Sequence, residues 1–108
     1  MLYTIAEIAD IVRPIAERYG IPAVYLFGSY ARGTATEQSD IDLLIDTTGT
    51  DLTTLFGIGA VYADLEDALG KPIDLITMGS LKQTAQMPSE KAFRENIMRE
   101  RVNLYGAA

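Results

Sequence analysis

The chain has 108 residues, with 15 Asp or Glu against 9 Lys or Arg and neither cysteine nor histidine, for a formal net charge of −6. A chain of this length holds one domain, and the missing residue types exclude disulfides, zinc–thiolate sites and Ser–His or Cys–His nucleophiles, so proton transfer and metal ligation fall to carboxylates. An acidic chain with no Lys/Arg cluster before its C-terminal segment argues against nucleic acid as the main substrate. The absence of a secretion signal or an apolar run of roughly 20 residues argues for a cytoplasmic protein away from the membrane.

Thr4 and Glu7 form a capping-box pattern, and Ile5, Ile8, Ala9, Val12, Ala16 and Tyr19 then recur at helical spacing. Pro14 is expected to kink or split this helix, and Gly20-Ile21-Pro22 to end it. Ala23 to Phe27 is a short, wholly apolar run that fits a strand buried on both faces. A short helix is predicted from Ser29, a polar loop from Gly33 to Ser39, a strand over residues 40–46 and a turn from Thr47 to Asp51. Leu55, Ile58, Tyr62, Leu65 and Leu69 share one stripe of a helix over 53–69, which Gly70-Lys71-Pro72 stops before a third strand, Ile73 to Thr77. A less regular stretch, Met78 to Pro88, leads to a last helix from about Ser89 to Tyr105. The predicted order α-β-α-β-α-β-α gives an α/β domain with a small mixed sheet packed on helices. On the last helix Phe93, Ile97 and Leu104 form one stripe, and Met98, Val102 and Tyr105 a second, which is either a docking surface or a second buried face.

The chemistry concentrates in Gly28-Ser29, ten intervening residues, then Asp40-Ile41-Asp42. A strand running through Gly28-Ser29 into a helix points backbone N–H groups at an anion. Gly28 lets a phosphate approach, the Ser29 hydroxyl adds a hydrogen bond, and Arg32 supplies a planar fork of donors to the same phosphates. Asp40 and Asp42, two apart in a strand, project from one face while Ile41, Leu43 and Ile45 take the other. Paired carboxylates repel unless a cation intervenes, and hard oxygen donors suit Mg²⁺. Asp74, set in Pro72-Ile73-Asp74-Leu75-Ile76, reaches the same centre if the two strands are neighbours. Three carboxylates then hold two Mg²⁺ ions that bridge a triphosphate, with Asp74 best placed to take the proton of an attacking hydroxyl. Each feature alone has an ordinary explanation: a helix start with Arg32 in a surface ion pair, an edge strand with a solvated face, an Asp capping a turn. Asp46 shares the parity of Asp40 and Asp42 but lies near the turn and is left out of the site, and Asp64, Glu66 and Asp67 read as a solvated helix face.

Leu26-Phe27-Gly28-Ser29-Tyr30-Ala31-Arg32-Gly33, followed by Ser39-Asp40-Ile41-Asp42-Leu43, resembles the minimal nucleotidyltransferases (MNT), small members of the DNA polymerase β-like superfamily. Leu69-Gly70-Lys71-Pro72-Ile73-Asp74-Leu75 is similar to the third acidic strand of that family, so the resemblance spans nearly the whole chain. It implies one minimal nucleotidyltransferase domain over residues 1–108 with the polymerase β-like fold. Asp40, Asp42 and Asp74 fall on the Mg²⁺-binding acids, Gly28 and Ser29 on the triphosphate grip, and Arg32 on a phosphate-binding arginine; Ser39 falls where a backbone N–H can be added. It further implies an antitoxin that transfers AMP from ATP to a tyrosine of a HEPN-domain RNase toxin. Larger relatives carry a second domain that grips the acceptor. The acceptor expected here is therefore another protein, or a small molecule held with a partner's help, in a homo- or hetero-oligomer. The alternatives are an antitoxin that neutralises by occlusion without catalysis, and a small-molecule nucleotidyltransferase.

Overall fold

The computed structural model describes residues 2–52, 54–83 and 88–106. Helix α1 spans Ile5–Tyr19, and the expected capping box is formed: the Thr4 hydroxyl accepts from the Glu7 N–H at 3.1 Å while the Glu7 carboxylate accepts from the Thr4 N–H at 2.8 Å. The helix runs through Pro14 as one element, so the expected split does not occur. Strand β1 (Ala23–Phe27), helix α2 (Gly28–Arg32) and strand β2 (Ile41–Asp46) follow. Helix α3 covers Leu55–Leu69, capped by the Thr54 hydroxyl and closed by Gly70 in the left-handed conformation, and strand β3 is Ile73–Thr77.

The C-terminal part departs from expectation. Met78–Gln83, read from sequence as irregular, forms helix α4; residues 84–87 of that stretch lie outside the described ones. Helix α5 spans Pro88–Glu100 and stops about five residues short of the predicted end, after which Val102–Gly106 forms a fourth strand, β4. Val102, Leu104 and Tyr105 are therefore strand residues, and the two helical stripes drawn through them do not exist. The final helical bond runs from Arg101 N–H to the Ile97 carbonyl. Beyond it a segment of β-prone residues pairs with the free edge of β1, a gain that only the sheet supplies.

The sheet order is β3-β2-β1-β4, with β2 and β3 parallel and the other pairs antiparallel. Alternation along the strands sends two sets of side chains to opposite faces. One face carries Val24, Leu26, Ile41, Leu43, Ile45, Ile73 and Leu104 into the main core against Ile8, Val12, Ile15 and Ala16 of α1 and Val61, Leu65 and Leu69 of α3. The other bears a smaller cluster of Phe27, Leu44, Leu81 and Ile97, joining α4 and α5 to the sheet. Both sides of β1 and β2 are thus covered, as the apolar run Ala23–Phe27 predicts. Asp64 has a firmer role than a solvated face: its carboxylate accepts from the Tyr19 hydroxyl and from Arg18 at 3.3 Å, tying α3 to α1. Among the described residues no helix is long and apolar enough to cross a membrane.

Candidate active site

The end of β1 and the start of α2 meet at Gly28, whose φ of +73° lies in the left-handed region. A Cβ added there would stand 2.0 Å from Oδ2 of Asp42. Sequence assigns Gly28 to close approach of a phosphate; the structure adds a neighbour from within the protein, since Phe27 pairs with Asp42 across the β1–β2 ladder. The glycine is the space in which that carboxylate sits.

The parallel β2–β3 ladder sets Asp42 opposite Asp74 in direct register. Residues paired this way face the same side of the sheet, so the neighbourhood that sequence required of Asp74 is realised by backbone hydrogen bonding. Asp40 stands one residue ahead of β2, outside the ladder, because the strand begins at Ile41 rather than at residue 40. Asp40 and Asp74 are exposed and Asp42 is half-buried. Burial, then the charges of Asp74 and Asp40, push the Asp42 carboxyl up to about 6, with the Arg32 guanidinium working in the opposite direction. The three acids and Arg32 therefore share one electrostatic neighbourhood.

Phe27, Gly28, Arg32, Asp42 and Asp74 line a cleft of about 340 Å³, closed on its other side by Phe93, Asn96, Ile97 and Glu100 of α5. Ser29 and Asp40 lie outside its lining. Arg32 forms the ion pair of its ordinary explanation, with Glu100 at 3.3 Å, yet does so at the wall of the acidic cleft. Sequence reasoning did not place Asn96 and Glu100 here. Residues 93, 96, 97 and 100 do have the spacing of one helical face, but nothing in the sequence says which sheet face α5 covers. A wider depression of about 760 Å³ lies at the end of α3, lined by Asp64, Glu66, Asp67 and Lys71; it gathers none of the glycine–serine or strand-borne acidic residues. Asp46 stays apart from the cleft, its Oδ1 accepting from the Thr48 N–H at 2.9 Å and the Thr48 hydroxyl at 2.6 Å in the turn after β2.

The donor set suits a hard divalent cation: carboxylates only, with that of Asp42 half-buried and raised by this burial and then by its neighbours' negative charge. Among the described residues no three such groups are already drawn into a metal cage.

The family model described as a nucleotidyltransferase domain matches residues 6–104. This chain belongs to the nucleotidyltransferase family. The nucleotidyltransferase is 35% identical over 85 residues to the protein adenylyltransferase MntA of Thermococcus cleftensis, an alignment covering 75% of this chain and 84% of that protein. Its fold is shared with a toxin–antitoxin structure containing AMP-PNP, at a TM-score of 0.69 and 21% identity, covering 92% of this chain and 73% of that one. It is also shared with a tri-AMPylated Shewanella oneidensis HEPN toxin in complex with MNT antitoxin, at a TM-score of 0.65 and 16% identity, covering 96% of this chain and 74% of that one. The chain is thus an enzyme of the nucleotidyltransferase class on a mixed α/β fold of the minimal type, as the sequence resemblance implies.

Proposed function

We propose that residues 1–108 form one nucleotidyltransferase domain that uses Mg²⁺ and ATP to transfer AMP to a tyrosine hydroxyl of a HEPN-domain RNase toxin, acting in the cytoplasm as its antitoxin. The observation that carries this reading is the in-register pairing of Asp42 with Asp74 beside the left-handed Gly28, with Arg32 on the same cleft. The likeness to MntA supports protein as the acceptor, and the complexes sharing the fold support a HEPN partner.

Asp40, Asp42 and Asp74 would hold the metal, which when bound offsets phosphate charge and makes the acceptor hydroxyl easier to deprotonate. Gly28 leaves room for the Asp42 carboxylate at the head of α2, where a phosphate would meet the backbone N–H groups beside it, and the Ser29 hydroxyl would donate to a phosphate oxygen. Arg32 exchanges its exposed pairing with Glu100 for the more highly charged triphosphate. The acceptor oxygen attacks the α-phosphorus, the bond to the bridging oxygen of the β-phosphate breaks, and pyrophosphate leaves with that electron pair. Asp74, exposed at the cleft, receives the hydroxyl proton.

The test is incubation of the purified chain with ATP labelled at the α-phosphate, Mg²⁺ and a HEPN-domain protein from the same genome. Label on the partner that disappears with the partner's tyrosine changed to phenylalanine is the expected result. An unlabelled partner, under conditions where the Thermococcus enzyme labels its own, overturns the reading.

A further inference from the structure

Asp42 and Asp74 are fixed relative to each other by a strand ladder, but Asp40 is not. It ends a polar loop whose own hydrogen bonds are local: Thr36 N–H to the Ser39 hydroxyl at 2.8 Å, Ser39 N–H to the Thr36 carbonyl at 3.0 Å and Gln38 N–H to the Thr36 hydroxyl at 3.3 Å. Those bonds set the shape of the turn without setting where it lies. Its start is tied to α2 by Thr34 N–H to the Ser29 carbonyl at 3.0 Å, and its exit by Ile41 N–H to the Pro72 carbonyl at 3.2 Å.

Lys71 holds the middle. Its Nζ donates to the Glu37 carbonyl at 3.1 Å and to the Tyr30 hydroxyl at 2.8 Å. Tyr30 is only 4% exposed, a core residue of α2 directly after Gly28-Ser29, so the ammonium joins the loop to an anchored point. Lys71 itself precedes Asp74 by three residues. One side chain therefore links the helix after the glycine–serine bend, the loop that delivers Asp40 and the entry to the strand that carries Asp74.

We propose that Lys71 is a positioning residue that pins the 34–39 loop and thereby places Asp40 beside Asp42 and Asp74 for divalent-metal binding. Its role towards the metal rests on the function proposed above; the tether itself does not. A side chain that acts on a ligand through another group typically changes metal affinity by about tenfold or more when removed.

The experiment compares wild type with Lys71→Met and Lys71→Arg by two measurements. Amide hydrogen exchange on the metal-free protein reads the tether: exchange over residues 34–40 speeds by roughly tenfold in Lys71→Met, with α1 and α3 unchanged. Calorimetric binding of a non-hydrolysable ATP analogue across a Mg²⁺ titration reads the consequence: half-saturation needs about tenfold more Mg²⁺ in Lys71→Met, and saturating Mg²⁺ restores binding. Lys71→Arg, which keeps donors on a side chain of similar length, recovers both properties, whereas loss of a merely stabilising lysine would lower the melting temperature and leave the Mg²⁺ dependence alone. If Lys71→Met does not fold, Tyr30→Phe removes one acceptor and shifts both measurements the same way by less. Unchanged exchange or unchanged Mg²⁺ dependence in the folded variant overturns the role of Lys71. Wild type that binds no Mg²⁺–nucleotide overturns the functional reading of the site, and the exchange result still decides the tether.

Discussion

The two faces of the four-stranded sheet are built from alternate residues of the same strands and obey different rules. Against α1 and α3, β2 presents Ile41, Leu43 and Ile45, each fully buried. Against α4 and α5 it presents Asp42, Leu44 and Asp46, while β3 adds Asp74 in register with Asp42. The first face supplies stability through apolar area removed from water. On the second face the Asp42 carboxyl, raised by burial and then by the charges of Asp74 and Asp40, opposes folding at neutral pH, and in the function proposed above it would serve a ligand, so one strand carries both stabilisation and its local cost.

That contrast is open to attack from both sides. The largest effect is expected at the acidic face: Asp42→Asn should lower nucleotidyl transfer by roughly 10²–10³-fold or more while raising the melting temperature of the metal-free protein at neutral pH. Transfer that survives would remove the metal role, and toxin neutralised equally well by the inactive variant would favour occlusion over catalysis. Next come the adjacent leucines. Leu43→Ala should cost about 2–5 kcal/mol in denaturant unfolding, and Leu44→Ala less, because the smaller cluster around it relaxes more easily. Equal losses would erase the distinction between the faces.

Gly28→Ala places a side chain at positive φ and against the Asp42 carboxylate, so a stability loss of about 1–3 kcal/mol is expected, with reduced nucleotide binding. Combining it with Asp42→Gly, which vacates the collision, should recover only the part due to contact and leave the part due to backbone strain.

The smallest effect concerns pH. Because the folded-state value for Asp42 is raised from 3.8 to about 6, its contribution to stability is complete below the lower value and is lost as pH rises through the upper one. The metal-free protein should therefore lose about 1–2 kcal/mol between these limits, a figure reduced for solvent screening of a half-exposed group. Mg²⁺ affinity should move the opposite way and strengthen with pH across the same window, since proton and cation compete for the same oxygens. Thermal unfolding with and without Mg²⁺ checks both signs.

The sequence contained much of this in local form. The Thr4–Glu7 box, the apolar run 23–27 and the Gly70 stop each act within a few residues, so α1, β1 and the end of α3 were legible from the chain. Likewise the glycine–serine bend, Asp42 and Asp74 stood out because acids inside apolar strands need a reason. The end of α5 was not legible. Val102 to Tyr105 satisfies helical spacing as well as strand propensity, and the open edge of β1 decides between them.

The chain by itself carried the family signature, the buried run of β1, the inward-facing residues of β2 and the motif on which the proposed site rests, because periodicity and motif spacing are properties of neighbours in sequence. Only the tertiary structure decided that Asp74 stands opposite Asp42, that α5 closes the cleft with Asn96 and Glu100, and that Lys71 reaches both Tyr30 and Glu37. Those are meetings between segments up to about seventy residues apart, set by ladder register and by which face of the sheet each helix covers. No local pattern encodes either quantity, since both come from the competition of all segments for the same buried surface.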